Sequence, residues 1–392
     1  MEQICDKNKC SGCCACMNAC PKNCISMEYD EYGVQLPVVD KDKCVDCGLC
    51  ARVCPVNTTP KLNDPKKAIA AWHLDDEIRK KSASGGVAAA FYETTLEAGG
   101  VCYGTVFDED LKLVIKKAEN MEQIKAFKGS KYVQAYVGYT FKDVKKELER
   151  DKSVTYIGTP CQIAGLKSYL KKDYDKLVTV DLICHGVPSI KYLQDHVKDI
   201  EAKINKKADD ISFRGEYSFE LTLYENKEVI FRKYRFLDNY FTGFLNGLFY
   251  RNNCYSCPYA RQQRVSDITI GDFWGLGQEV PCNYSMSKGI SVILPNTEKG
   301  LEFVKKASDK LFMKERPLTE AVNGNDQLRH PSEKHANYRQ FMDMYPNYGF
   351  EKSATECTKK DIAEFKKEER KKNVRRVLSK GKRICKKIIG RQ

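Results

Sequence analysis

The sequence predicts an α+β chain of three parts in series: a small duplicated, cysteine-rich unit, a mixed α/β body and a basic C-terminal helix. Three observations carry this. The block Cys10-x-x-Cys13-x-x-Cys16-x-x-x-Cys20-Pro21 returns as Cys44-x-x-Cys47-x-x-Cys50-x-x-x-Cys54-Pro55, with every matched position offset by 34 residues. Past residue 150, apolar segments of strand length alternate with segments of helical period, the order that produces parallel strands. Residues 351–392 hold 16 Lys or Arg and 6 Asp or Glu. The expected units are 1–60, 66–148, 150–325 and 350–392, the middle two forming the body.

In the repeated block, two residues between cysteines let three consecutive thiolates curl around one face of a cube of iron and sulfide. The three-residue gap carries the fourth thiolate away from that face. Proline ends the turn, because it has no N–H to donate and a fixed φ. Each block has the spacing of half a bacterial ferredoxin, in which the fourth cysteine ligates the other cluster. The expectation is two 4Fe-4S clusters in a ferredoxin-like duplicated domain. One falls on Cys10, Cys13, Cys16 and Cys54, the other on Cys44, Cys47, Cys50 and Cys20. Zinc also takes paired C-x-x-C units, but it gives no reason for eight thiolates in tandem. Cys5, Cys14 and Cys24 lie outside the pattern and read as small buried side chains beside the clusters.

Composition narrows the classes. At 392 residues with 42% hydrophobic content, the chain has room for two or three domains with real cores. Nineteen cysteines would suit a disulfide scaffold in a short secreted protein, but Met1-Glu2-Gln3-Ile4-Cys5-Asp6 shows no apolar leader core. No apolar run approaches the about 18 residues of a membrane span. The expectation is a cytoplasmic protein whose thiols are reduced and metal-bound. Of the net charge of +13, the tail carries +10 (16 less 6), leaving +3 for the rest. Nucleic acid is excluded as a partner, since the folded body is near neutral and holds no aromatic-basic recognition motif.

The body is read in order. Ser82-Ala83-Ser84-Gly85-Gly86 precedes an alanine-rich apolar stretch, residues 87–96, that reads as a helix ended by Gly99-Gly100. A Ser/Gly turn opening a helix presents free N–H groups to an anion, and it can cradle a cofactor phosphate or merely cap the helix. Residues 101–107 and 111–117, parted by Asp108-Glu109-Asp110, read as a hairpin. The loop 128–134 leads into a lysine-rich helix ending near Arg150. Residues 154–158 and 177–183 read as buried strands, and 162–170 and 189–204 as helices.

Cys161 and Cys184 then fall just past the carboxyl ends of two neighbouring strands, the edge where ligands of open α/β sheets gather. Cys254 and Cys257 can join them from the loop after the aromatic stretch 240–250. These four thiolates are the expected ligands of a third cubane, with a structural zinc on Cys254 and Cys257, or no metal, as the alternatives.

Taken together, Ser82-Ala83-Ser84-Gly85-Gly86, the loop 128–134, Gly158-Thr159-Pro160-Cys161-Gln162, Cys184-His185-Gly186-Val187-Pro188, the C-x-x-C-Pro at 254–258 and residues 266–275 resemble the beta subunits of coenzyme F420 hydrogenases and dehydrogenases. The resemblance covers about residues 66–320. It implies a flavin-binding body that takes FAD, a cubane near the flavin, and a deazaflavin or similar hydride carrier as substrate. It also implies flavin contacts at Ser82, Ser84, Gly85, Gly86, Lys131, Tyr132 and Val133.

The expected activity is that of an oxidoreductase passing electrons between the clusters and a two-electron carrier at FAD, which bridges one- and two-electron chemistry. His185 is the candidate proton donor, since imidazole titrates near neutrality. The rival expectation is an electron-transfer subunit that serves a redox partner protein and has no substrate site of its own. In the tail, Val374, Val377, Leu378, Ile384, Cys385, Ile388 and Ile389 recur near helical spacing among basic residues. Such a helix suits the inner face of an anionic membrane or an acidic partner.

Overall fold

The structure, a computed structural model, describes residues 3–215 and 219–389, with side chains described as far as residue 372. The amphipathic face expected between Val374 and Ile389 therefore lies outside the described residues.

The N-terminal unit is built on an antiparallel hairpin of β1 (Ile25–Tyr29) and β2 (Gln35–Val39), with Met27 opposite Pro37. Asp30 closes the hairpin by accepting from the N–H groups of Tyr32 (3.0 Å) and Val34 (2.7 Å). The short helices Ala15–Ala19 and Leu49–Arg52 each carry the third cysteine of a block and pack together. The duplication persists in the backbone: Gly12 and Asp46, and Cys14 and Gly48, are equivalent pairs, and all four residues have positive φ. Each loop bends back on itself at the same two places to gather its thiols.

The body contributes β3 (Ala68–His73), β4 (Val101–Phe107), β5 (Leu113–Ala118), β6 (Val154–Gly158) and β7 (Leu177–Leu182). A three-stranded antiparallel sheet of β8 (Asp210–Arg214), β9 (Phe219–Glu225) and β10 (Glu228–Tyr234) follows, and the chain returns with β11 (Ile268–Asp272), β12 (Ser291–Pro295) and β13 (Leu311–Arg316). Eight of these strands form one mixed sheet in the order β13-β3-β12-β11-β7-β6-β4-β5. The run β4-β6-β7-β11 is parallel, and its central strands β6 and β7 are buried almost throughout. That is why they read as continuous apolar segments rather than alternating ones.

The expected units 66–148 and 150–325 are joined in space. Strand β3 comes from the first and inserts between β12 and β13 of the second. Four of its six residues, Ala68 to Ala71, are small or aliphatic and buried on both faces, so the boundary near residue 150 divides the sequence but not the core. The hairpin β1–β2 and the sheet β8–β10 are additions to the sequence reading. The C-terminal helix, expected from residue 350, spans Tyr338–Ile389 with a break at Gly349 and packs on helices Ile190–Ile204 and Asn239–Leu245.

The cysteine-rich unit and the body share one hydrophobic core, in which Met17, Val53 and Ile25 join Phe141, Tyr156 and Ile163. Polar contacts set the register between them. Asn18 donates to the Gly138 carbonyl (2.8 Å) and accepts from the Lys142 N–H (3.2 Å), and Ser189 donates to the Gly33 carbonyl.

Candidate redox site

The structure gathers the twelve expected cysteines into three groups. Cys20, Cys44, Cys47 and Cys50 line a single cavity in the N-terminal unit. Cys24 enters its wall 3.3 Å from the Cys20 sulfur. Cys47 and Val45 are exposed there, so this group lies nearest to solvent. Cys10, Cys13, Cys16 and Cys54 form the inner group. The neighbouring Cys5 draws the Cys10 and Cys54 thiols down, to about 6 and about 7, whereas burial, reinforced by neighbouring thiols, pushes Cys13 and Cys16 up. Buried thiols such as Cys13 and Cys16 are costly to ionise alone; a metal cluster reverses that logic by taking them as thiolates. Among the described residues, no three His, Cys, Asp or Glu converge as a single metal ion would need.

The third group forms at the carboxyl edge of the parallel strands. Pro160 opens helix Pro160–Leu170, and the Gln162 side chain accepts from the Thr159 N–H at 2.9 Å. This cap is the reason for the Gly-Thr-Pro-Cys-Gln order, and it holds Cys161 at the mouth of the sheet. Cys184 follows β7. Gly186, at φ +132°, passes against the Tyr250 ring, where a Cβ would lie 2.6 Å from a ring carbon; only glycine fits. The loop carrying Cys254 and Cys257 is tied down by Arg264, which is buried and donates to Asp181 Oδ1 (3.0 Å) and to the carbonyls of Tyr259 (2.8 Å) and Leu182 (3.1 Å). Cys161, Cys184, Cys254 and Cys257 thereby line one cavity.

Next to it opens a cavity of about 400 Å³, lined by Ser82, Ser84, Gly86, Lys131, Tyr132 and Val133. Its size lies within the range of cofactor sites. Thr159, Cys184, His185, Gly186 and Val187 line both cavities. The first turn of helix Val87–Glu97 opens onto the larger one, and Ser84 Oγ is buried there without a protein partner. An orphaned hydroxyl beside a helix N-terminus suits an anionic or hydrogen-bonding cofactor.

Gly85 sits behind this wall. Its N–H donates to Ser291 Oγ (2.9 Å), and a Cβ would come 2.4 Å from the Ala71 carbonyl oxygen, so it permits close packing on β3 and β12. Lys131 donates to the carbonyls of Phe127, Lys128 and Gly129, and burial pushes its ammonium down to about 8. It closes its own loop around the cavity.

A further cavity of about 550 Å³ shares Ser82, Ala83, Ser84, Arg214, Asp272 and Trp274 with this one. Arg214 is a residue that sequence reasoning missed. It donates to Tyr132 Oη (3.1 Å), the Ala83 carbonyl (2.6 Å) and Asp272 (2.7 Å), and lies 3.8 Å over the Phe219 ring. It stands on β8, a strand without a motif, so no spacing pointed to it.

The fold therefore sets clustered cysteine thiols beside a cofactor-sized cavity in the body. Residues 9–58 match the 4Fe-4S dicluster domain, and residues 151–321 match the family described as the C terminus of the coenzyme F420 hydrogenase/dehydrogenase beta subunit. Among solved structures it is similar to a chain of the F420-reducing NiFe hydrogenase complex from Methanosarcina barkeri, at 20% identity and a TM-score of 0.46 over 78% of this chain and 93% of that one. No curated protein matches it. Among the described residues, no helix is long and apolar enough to cross a membrane.

Proposed function

We propose that this chain is an iron–sulfur flavoprotein oxidoreductase. It passes electrons between 4Fe-4S clusters and a two-electron hydride donor or acceptor, coenzyme F420 or a similar carrier, at FAD. The observation that carries this reading is the shared wall: five residues line both the four-cysteine cavity and the 400 Å³ cavity. Bound there, FAD supplies the exchange between one- and two-electron chemistry.

The protein's own groups do the holding. Cys10, Cys13, Cys16 and Cys54 hold the first cluster, Cys20, Cys44, Cys47 and Cys50 the second, and Cys161, Cys184, Cys254 and Cys257 the third. Ser82, Ser84 and Gly86 offer the anion-binding turn, and Tyr132 and Val133 line the same cavity. Arg214 braces Tyr132 against the Ala83 backbone. His185, on the shared wall, is the proton-carrying group for a hydride carrier, through its imidazole nitrogens.

The second cavity favours this reading over a plain electron-transfer subunit, which needs no space for a substrate beside FAD. Anaerobic reconstitution with iron, sulfide and flavin quantitation tests it. The expected yield is about twelve irons per chain, four for each cubane, with bound FAD that bleaches on adding a hydride donor. Full iron without flavin would favour the subunit reading, and about eight irons would remove the third cluster.

A further inference from the structure

Arg251 is 2% exposed, yet its hydrogen-bond partners are all neutral. It donates to Gln134 Oε1 (2.8 Å), to the carbonyls of Cys10 (2.9 Å) and Gln35 (3.0 Å), and to Asn253 Oδ1 (3.3 Å). Of the other buried arginines, Arg264 meets Asp181 at 3.0 Å and Arg316 meets Glu320 at 2.7 Å, while Arg79 holds the Gly289 carbonyl and lies 4.6 Å over the Trp72 ring. A buried cation without a counter-charge is costly unless an anion stands nearby.

The position of Arg251 indicates where such anions belong. Its guanidinium holds the Cys10 carbonyl at 2.9 Å, its own carbonyl accepts from the Cys254 N–H at 2.9 Å, and its partner Asn253 lines the cavity of Cys161, Cys184, Cys254 and Cys257. The two groups of thiols are neighbours here, for Ser11 lines the cavity of the third group, and Gly165, on the helix that carries Cys161, packs so closely on Cys13 that a Cβ there would lie 2.9 Å from its sulfur. The outer group of Cys20, Cys44, Cys47 and Cys50 lines a separate cavity, and none of the hydrogen-bond partners of Arg251 lines it. A cubane on four thiolates is a net anion that gains one further negative charge per electron, and net charge is among the factors that set its potential.

We propose that Arg251 is a positioning residue that serves as the shared counter-charge of the first and third clusters. It holds the potentials of both above the values they would have without it and leaves the second cluster untouched. This rests on the three-cluster reading of the proposed function. Because the charge is fixed, one guanidinium raises both potentials at once, by an amount set by its distance to each site.

The test is a redox titration of the anaerobically reconstituted full chain with dithionite and mediators, each cluster followed by electron paramagnetic resonance. In Arg251→Gln, two of the three clusters are expected to lose at least a tenfold ratio of reduced to oxidised form at a fixed potential, which is about 59 mV for one electron. Arg251→Lys keeps the charge and should stay within about threefold of the unaltered chain for all clusters. Gln134→Leu removes a hydrogen-bond partner but no charge and should shift none.

Equal shifts in all three clusters, no shift, a shift confined to one cluster, or Lys behaving as Gln would overturn the proposal. Failure of Arg251→Lys to load clusters while Gln134→Leu loads them would do the same, by making the role one of folding alone. An iron content of about eight in the unaltered chain would instead remove the third site, and the shared role with it. A single shifted cluster in a twelve-iron protein overturns the proposal and leaves the three-cluster reading standing.

Discussion

His196 Nε2 and Asp238 Oδ2 lie 2.9 Å apart in the protein interior, with His196 2% exposed and Asp238 fully buried. The other ring nitrogen meets Glu351 of the C-terminal helix at 2.8 Å, and Lys203 approaches the same carboxylate at 3.9 Å. Burial opposes the imidazolium, but the two carboxylates outweigh it and hold the pKa up at about 9. The ring is a charged clamp between helix Ile190–Ile204, the Asp238 cap of the next helix and the C-terminal helix.

A raised histidine pKa contributes stability that is complete below the unfolded value near 6.5 and is lost as pH rises through the folded value. Thermal stability should therefore fall between pH 7 and pH 10, by on the order of 3 kcal/mol for this group. The matching loss on the acid side belongs to Asp238 and Glu351, whose carboxyls are held low despite their burial. His196→Gln should be less stable at pH 7 and should lose the alkaline slope. Calorimetry across that range checks this, and an unchanged slope in the variant would reject the clamp.

Ser84 yields a prediction of opposite signs. Its buried hydroxyl has no partner in the protein, so Ser84→Ala removes an unsatisfied group from the flavin-free chain and a hydrogen bond from the flavin-bound one. FAD affinity, read by equilibrium quenching of flavin fluorescence, should drop about fivefold, the worth of about 1 kcal/mol. The melting temperature without flavin should not fall. A drop in both would assign the hydroxyl a structural duty instead.

Arg264 and Asp181 are a buried pair, and Thr269 donates to the same carboxylate at 2.6 Å. Arg264→Met leaves that carboxylate alone in the core and should cost about 3–5 kcal/mol. Because Arg264 also holds the Tyr259 carbonyl, iron should be lost from the third site ahead of the other two. Adding Asp181→Leu should return much of the stability, as measured by chemical denaturation.

Past Lys372 the chain holds eight basic and no acidic residues. A chain ending at Lys372 keeps Phe365 in contact with Tyr234 and Phe236 at 5.6 and 5.0 Å, so the body should fold unchanged. Flotation with vesicles containing anionic lipid should be lost on this truncation. Equal flotation of both forms would put membrane contact elsewhere.

The tandem cysteines and the strand-end placement of Cys161 and Cys184 were legible because each is a matter of spacing along the chain. A local turn or a strand end follows from a few adjacent residues, and the repeat at 34 even survives in the signs of φ at four positions. Cys254 and Cys257 needed more, since nothing near them along the chain says which strand end they meet.

What the sequence by itself determined is the kind of chemistry: thiol sets with cubane spacing, a glycine-serine turn before a helix, and parallel strands ending in cysteine. What only the tertiary structure decided is how these meet. Strand β3 crosses into the sheet of the later residues, Arg264 fastens one cysteine loop to β7, and Arg251 sits uncompensated where two thiol groups face each other. Such contacts join residues up to 248 positions apart, as Ala68 and Arg316 are. They depend on charge and burial in three dimensions, which carry no periodic signature along the chain.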